Sequence, residues 1–188
     1  LEPDSVFHKG AKVEEGTRIK YSGNWYTIDR FDRANRELVL QKVDTLVDTI
    51  IASKGVYAPD FTFKDMASGE EMSLSDLKGK YVLLDFWGTF CKPCINGIPD
   101  LVALKEEFKN ENFEIISIAV TSNPTSFDNL KQKYGMNWLH MWEPTPKGLA
   151  MDYNVTGYPT MFLVDPKGKI VLMGHSLHGV KEIVENGW

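Results

Sequence analysis

Two cysteines, Cys91 and Cys94, are the only thiols in 188 residues, and they stand three apart in "FWGTFCKPCINGIPDL", residues 86–101. A structural zinc site needs four ligands, normally a second C-x-x-C or a histidine pair at metal spacing. Here His8, His140, His175 and His178 are scattered, and the three-residue spacing of the last two reads as ordinary surface. A purely structural disulfide across so short a loop removes little entropy from the unfolded chain. Dithiol redox chemistry remains, and the flanking pattern of a buried strand before the pair and a helix after it suits that reading.

Cys91 is expected at the N-cap or first turn of the helix, where free backbone N–H groups and the helix dipole favour a thiolate, with Lys92 adding a nearby positive charge. Bringing a thiol pKa from about 8.5 toward about 7 raises the thiolate fraction at neutral pH roughly fifteenfold. Each thiolate becomes about fivefold less nucleophilic, so attack gains only about threefold. The larger benefit is that Cys91 becomes a good leaving group when Cys94, one turn further in, attacks the mixed disulfide as the resolving thiol. Asp85 lies six residues before Cys91 inside an apolar strand. Burial raises a carboxyl pKa, which suits Asp85 to take the proton of Cys94 during resolution. The competing reading places Asp85 at a sheet edge or beside a lysine.

The elements that must position these groups are legible as patterns. "KYVLLDFWG" and "FEIISIAV" are continuous apolar runs that predict strands buried on both faces. Residues 92 to about 110 predict a helix with Leu101, Leu104 and Phe108 on one side. "TSFDNLKQKYG" predicts a helix stopped by Gly135, and "MNWLHMW" reads as a short strand or extended run. "TMFLVDPKGKIVLMG" predicts two strands joined at Asp165–Gly168, and "HGVKEIVENGW" a short helix. Upstream, "DFTFKDMASGEEMSLSDL" predicts a hairpin bending at Ser68-Gly69, then a short helical turn. "TRIKYS", "NWYTIDR" and "RELVLQKV" predict an antiparallel meander, preceded by a loose residue 1–16 stretch. Val43, Leu46, Val47, Ile50 and Ile51 have the spacing of an amphipathic helix ended by Gly55. The prediction is an α/β fold with a mixed sheet, residues 57–188, behind a small β-rich accessory segment, residues 1–56.

Composition sets the outer bounds. With 43% apolar and 25% charged residues the chain has ordinary globular content. A net charge of −5, without a run of five like charges, gives no footprint for nucleic acid or anionic lipid. No apolar stretch approaches the roughly 18 to 20 residues of a membrane span. The chain begins at Leu1 without a basic leader, and the expectation is that any signal or anchor of the precursor is already removed.

"LLDFWGTFCKPCINGIPDL" resembles the strand, W-x-x-x-C-x-x-C motif and helix of the thioredoxin superfamily, and more closely its extracytoplasmic TlpA and ResA type branch. Phe90 stands where tryptophan is commoner. "VTGYPTMFLVD", residues 155–165, resembles the segment in which a cis-proline faces the active site, which implies Pro159 in that role and Tyr158 offering its backbone to a substrate strand. Pro99 matches a helix kink. "APDFTFKDMASGEEMSLSDLKGKYVLLDFW" resembles the N-terminal hairpin shared with peroxiredoxins, and residues 120–150 the branch's inserted helix. An asparagine often stands at the position of Asp85 in this branch, and a glutamate that controls protons in some members has no counterpart. The final helix is shorter than the branch leads one to expect, and the resemblance does not extend to residues 1–56.

The resemblance, over about residues 57–188, implies a thioredoxin-like fold and a reductase acting on disulfides of partner proteins. Cys91, Cys94 and Asp85 carry its chemistry, with Trp87, Phe90, Lys92, Pro93, Tyr158 and Pro159 around the substrate. It implies no cofactor beyond the redox-active Cys91–Cys94 pair, a membrane thiol relay as electron donor, and a periplasmic or other extracytoplasmic location, with a membrane or lipid anchor in the precursor. Two other readings stay open. A thiol peroxidase needs a threonine three residues before its cysteine, whereas Thr89 is two before Cys91. A Cu(I) relay would use the two thiolates with Met136, Met141 and Met151, although methionines beside Trp138 and Trp142 read first as core filler.

Overall fold

The computed structural model describes residues 18–21, 24–32, 37–42, 52, 54–109, 111–120, 124–144 and 148–187, the ranges before residue 43 as backbone apart from Tyr26. The chain divides into two compact units at residues 49/50. In the first, β1 (Arg18–Tyr21), β2 (Asn24–Asp32) and β3 (Glu37–Lys42) form an antiparallel sheet in the order β1-β2-β3. The meander pairs Tyr21 with Asn24 and Asp32 with Glu37 across its two turns. The residue 1–16 stretch and the amphipathic helix over 43–51 lie outside the described residues.

The second unit begins before the sequence boundary at 56/57. Ala52 is buried in its core, and the Gly55 N–H donates to the Ile170 carbonyl at 2.7 Å. Next comes the hairpin of β4 (Thr62–Lys64) and β5 (Glu71–Ser73). Its bend is built on Asp65, whose Oδ2 accepts from the Ala67 and Ser68 N–H groups and the Ser68 hydroxyl, while Gly69 takes φ +75°. Four hydrogen bonds in all, including the His140 N–H at 3.0 Å on Oδ1, favour the ionised form and hold the Asp65 carboxyl below its ordinary value although burial opposes them. Ser73 and Asp76 then form a capping box around a 3-10 turn, Leu74–Leu77.

A five-stranded sheet follows, built from β6 (Tyr81–Trp87), β7 (Phe113–Val120), β8 (Leu139–Glu143), β9 (Thr160–Val164) and β10 (Ile170–Gly174). Its order is β10-β9-β6-β7-β8, with β6, β7 and β8 parallel and β9 and β10 antiparallel. Helix α1 (Lys92–Glu107) crosses from β6 to β7, α2 (Pro124–Tyr134) from β7 to β8, and α3 (Leu149–Asp152) precedes β9; α4 (Val180–Asn186) closes the unit. The "MNWLHMW" segment, ambiguous in sequence, supplies β8. Helix α1 ends at Glu107, short of residue 110, and runs continuously through Pro99.

Strand parity distributes the core, since successive side chains of a strand point to opposite faces. Leu83 and Trp87 join α1, α2 and α4 residues such as Ile98, Leu101, Phe127 and Val180 in one apolar layer. Val82, Leu84 and Phe86 join Phe63, Leu74, Leu77, Tyr153 and Phe162 in the other, covered by the hairpin and α3. Parity therefore places Asp85 on the face that α1 covers, the face of the cysteines.

Candidate active site

The strand β6 ends at Trp87, and the chain turns through Gly88 to start α1. The Cys91 N–H donates to the Gly88 carbonyl at 2.9 Å, closing that turn. Cys91 is the N-cap of α1, with φ −89° and ψ 98°, and its Sγ accepts from the Cys94 N–H at 3.2 Å. Pro93 sits in the first turn, where its missing N–H costs no helix bond. Cys91 and Cys94 are joined by a disulfide, with Cα atoms 5.3 Å apart. Sequence reasoning places only Cys94 inside; both are buried, at 7% and 6% exposure. Position rather than exposure distinguishes them, because the N-cap sulfur receives the helix-end N–H that a thiolate needs.

Asp85 is 2% exposed and, among the described residues, receives one hydrogen bond, from the Ser117 hydroxyl at 3.0 Å to Oδ2. The parallel register pairs these two residues directly, and Ser117 in turn with His140. Ser117 Oγ accepts from Trp138 Nε1 at 2.9 Å, which leaves its proton for the carboxylate. Desolvation dominates over that single bond and pushes the Asp85 carboxyl up to about 7. Asp85 and Cys94 line one cleft of about 140 Å³ with Pro93, Pro159 and His175. The cleft is roomy enough for water, and Asp85, His175 and Ser176 give such a water polar partners in a largely apolar lining, so a proton can pass between the acid and the thiol. The sheet-edge reading of Asp85 is set aside, since β6 is the central strand.

Around the disulfide, Phe90, Lys92 and Pro93 are exposed and Tyr158 and Pro159 half-buried. The Phe90 ring, 69% exposed, meets the Tyr158 ring edge-on with centroids 6.0 Å apart. The Tyr158–Pro159 peptide is cis. Trp87 departs from its expected place at the substrate. At 1% exposure it packs against Phe127, centroids 6.0 Å apart, because its strand parity turns it under α1 and α2. Its indole N–H and His140 Nδ1 are buried without a hydrogen-bond partner among the described residues. Met136 is buried and Met151 is 62% exposed.

Three polar residues around the site escape sequence reasoning. Ser117 was detectable, being with Glu114 one of two polar residues in its apolar run, fifth along β7 as Asp85 is fifth along β6. Glu143, 4% exposed at the end of β8, accepts from the N–H groups of Gly148, Leu149 and Ala150, yet burial still raises its pKa. A Cβ at Gly148 would stand 2.2 Å from Glu143 Oε1, so a larger residue there would have to displace the carboxylate. Partial burial, aided by the Glu143 charge, raises the pKa of Tyr158. His175 donates from Nδ1 to the Pro159 carbonyl at 2.7 Å.

Residues 55–173 match the AhpC/TSA family. The chain is 37% identical over 119 residues to the thiol-disulfide oxidoreductase ResA of Bacillus subtilis, covering 63% of this chain and 65% of ResA, just under two thirds of that protein's length. It is 38% identical over 120 residues to the thioredoxin-like protein YneN of the same organism, covering 62% of this chain and 68% of YneN. The crystal structure of the thioredoxin domain of a thiol-disulfide oxidoreductase from Bacteroides vulgatus superposes with a TM-score of 0.63 at 32% identity, covering 70% of this chain and 98% of that domain.

Proposed function

The chain belongs to the AhpC/TSA family, in its thioredoxin-like thiol-disulfide oxidoreductase branch, and from that membership we propose that it reduces disulfides in partner proteins outside the cytoplasm. The observation that carries the reading is the Cys91–Cys94 disulfide at the head of α1, sharing a cleft with a buried Asp85. In the reduced enzyme the Cys91 thiolate attacks one sulfur of a partner disulfide. A Cys91–partner S–S bond forms, and the partner's other sulfur leaves as thiolate. Cys94 then gives its proton to Asp85 and attacks Cys91 Sγ. The Cys91–Cys94 bond forms, the partner leaves as a dithiol, and the enzyme has lost two electrons.

Each group suits its step. The N-cap position favours Cys91 as thiolate and leaving group. An acid held near pH 7 can both take and return a proton in neutral solution. The exposed Phe90, Lys92 and Pro93 with Tyr158 and Pro159 supply a surface for a protein chain, and the proline in C-x-P-C with an acid beneath it favours the reducing direction. Electrons return through thiols alone, from a donor dithiol such as a membrane relay, with no separate cofactor. Among the described residues no helix is long and apolar enough to cross a membrane. The test is a trap: in Cys94→Ala the mixed disulfide cannot resolve, so partners accumulate on Cys91 and separate from it on reduction. Absence of any such adduct beyond the Cys91→Ser background overturns the reading.

A further inference from the structure

His175 follows β10, outside the C-x-x-C motif and apart from the elements that carry Cys91, Cys94 and Asp85. A carbonyl can only accept, so the 2.7 Å contact with the Pro159 oxygen requires a proton on Nδ1. The Thr160 hydroxyl is committed as donor to the Gly157 carbonyl at 2.7 Å, which leaves its oxygen as a further, longer acceptor for the same Nδ1–H at 3.5 Å. In the neutral ring the basic nitrogen is therefore Nε2, fixed by a bond on the other side of the imidazole. His175 is solvent-exposed, yet it also lines the cleft of about 140 Å³ that holds Asp85 and Cys94. The other ionisable side chain lining this cleft is Asp100 on α1, which is exposed.

We propose that His175 is the group through which Asp85 exchanges its proton with solvent. The inference rests on the dithiol reading above and adds a residue to it. During resolution the Cys94 proton goes to an Asp85 oxygen and the Cys94 electron pair forms the new S–S bond; the proton then passes through cleft water to His175 Nε2 and on to solvent. When a donor dithiol reduces the enzyme, the same path returns a proton to Cys94. His175 acts through Asp85 and is a positioning and relay residue rather than one touching the sulfur atoms.

The test separates the two half-reactions. Attack of Cys91 on a small aromatic disulfide, followed in Cys94→Ala, reports the dithiol reading alone; no attack there means that reading has failed, whatever His175 does. Resolution is followed as release of the thiol from a mixed disulfide preformed on Cys91. Two variants are compared with native enzyme between pH 6 and 8. His175→Asn keeps an N–H that can hold the Pro159 carbonyl but cannot carry a proton, and His175→Ala leaves room for free imidazole. Both variants are expected to resolve about tenfold slower, below the roughly 100-fold floor of a direct acid–base group. The deficit is widest below pH 7, where Asp85 must first shed a proton, and added imidazole restores His175→Ala but does not change native enzyme. Resolution at the native rate in His175→Asn at every pH overturns the proposal. So does a deficit in His175→Ala that imidazole leaves untouched, since that marks a purely structural role for the Pro159 bond.

Discussion

At Asp85 the balance of two interactions sets the chemistry. Burial disfavours the carboxylate, and among the described residues the Ser117 hydroxyl is the one hydrogen-bond donor that favours it. Trp138 fixes the direction of that hydroxyl by donating to its oxygen, so the Ser117 proton points to Asp85. Ser117→Ala removes the counterweight. The Asp85 carboxyl then moves above its present value of about 7, and the pH at which resolution reaches half its maximal rate rises with it. The indole N–H of Trp138 also loses its acceptor, which costs about 1–3 kcal/mol of stability. Carboxyl carbon NMR titration of the oxidised protein measures the first effect, and urea unfolding the second. An Asp85 that titrates lower in Ser117→Ala contradicts this account of the site.

The element that delivers both thiols is the turn from β6 into α1, and it has little spare room. A Cβ on Gly88 would lie 2.6 and 2.7 Å from two Phe90 ring atoms and 3.0 Å from the Val120 carbonyl oxygen. The exposed ring can swing away, but the β7 backbone cannot. Gly88→Ala is expected to cost about 1–3 kcal/mol. In a Phe90→Ala background the cost falls by on the order of 1 kcal/mol, leaving the Val120 contact; strict additivity in the double-mutant cycle, read by denaturant unfolding, would show that the ring is not the obstacle. The strands flanking this turn were legible because β6 and β7 are covered on both faces and read as unbroken apolar runs. Strand β8 lies at the sheet edge with a half-exposed pattern, and α3 spans four residues, too few for a helical period to show. The same limit applied within the site. Cys91, Cys94 and Asp85 announced themselves locally, whereas Ser117 and Glu143 act through strand register and loop closure, which join residues far apart in sequence. Trp87 sits next to the motif, and only the parity of β6 shows that it points inward.

Across the whole molecule the buried acid near the disulfide and a buried base behind it oppose each other in their effect on stability. Asp85 keeps its proton to about pH 7 in the fold against an ordinary 3.8, so its contribution is full below about 3.8 and is lost as pH rises through 7. His140, fully buried with Nε2 donating to the Met136 carbonyl, is pushed down to about 4 from 6.5 by desolvation. Its contribution is full above 6.5 and is lost as pH falls through 4. Between about pH 4 and 6.5 the folded chain holds one extra proton on Asp85 and the unfolded chain one on His140. The two slopes cancel there, while the raised pKa of Glu143 adds a further falling contribution. Asp85→Asn removes one side of this balance and keeps an oxygen for the Ser117 hydroxyl. The variant is therefore expected to gain on native protein by about 1.4 kcal/mol per pH unit across the window, reaching about 4 kcal/mol above pH 7, while resolving mixed disulfides more slowly. Urea unfolding of both oxidised proteins at pH 4.5, 5.5, 6.5 and 8 measures the gap. A gap that stays constant would mean that Asp85 is ionised in the fold throughout, and the proton acceptor for Cys94 would have to be sought elsewhere in the cleft. A gap that widens with pH shows a chain that holds its acid near neutrality at the expense of stability, where the group can both take and return the proton of Cys94.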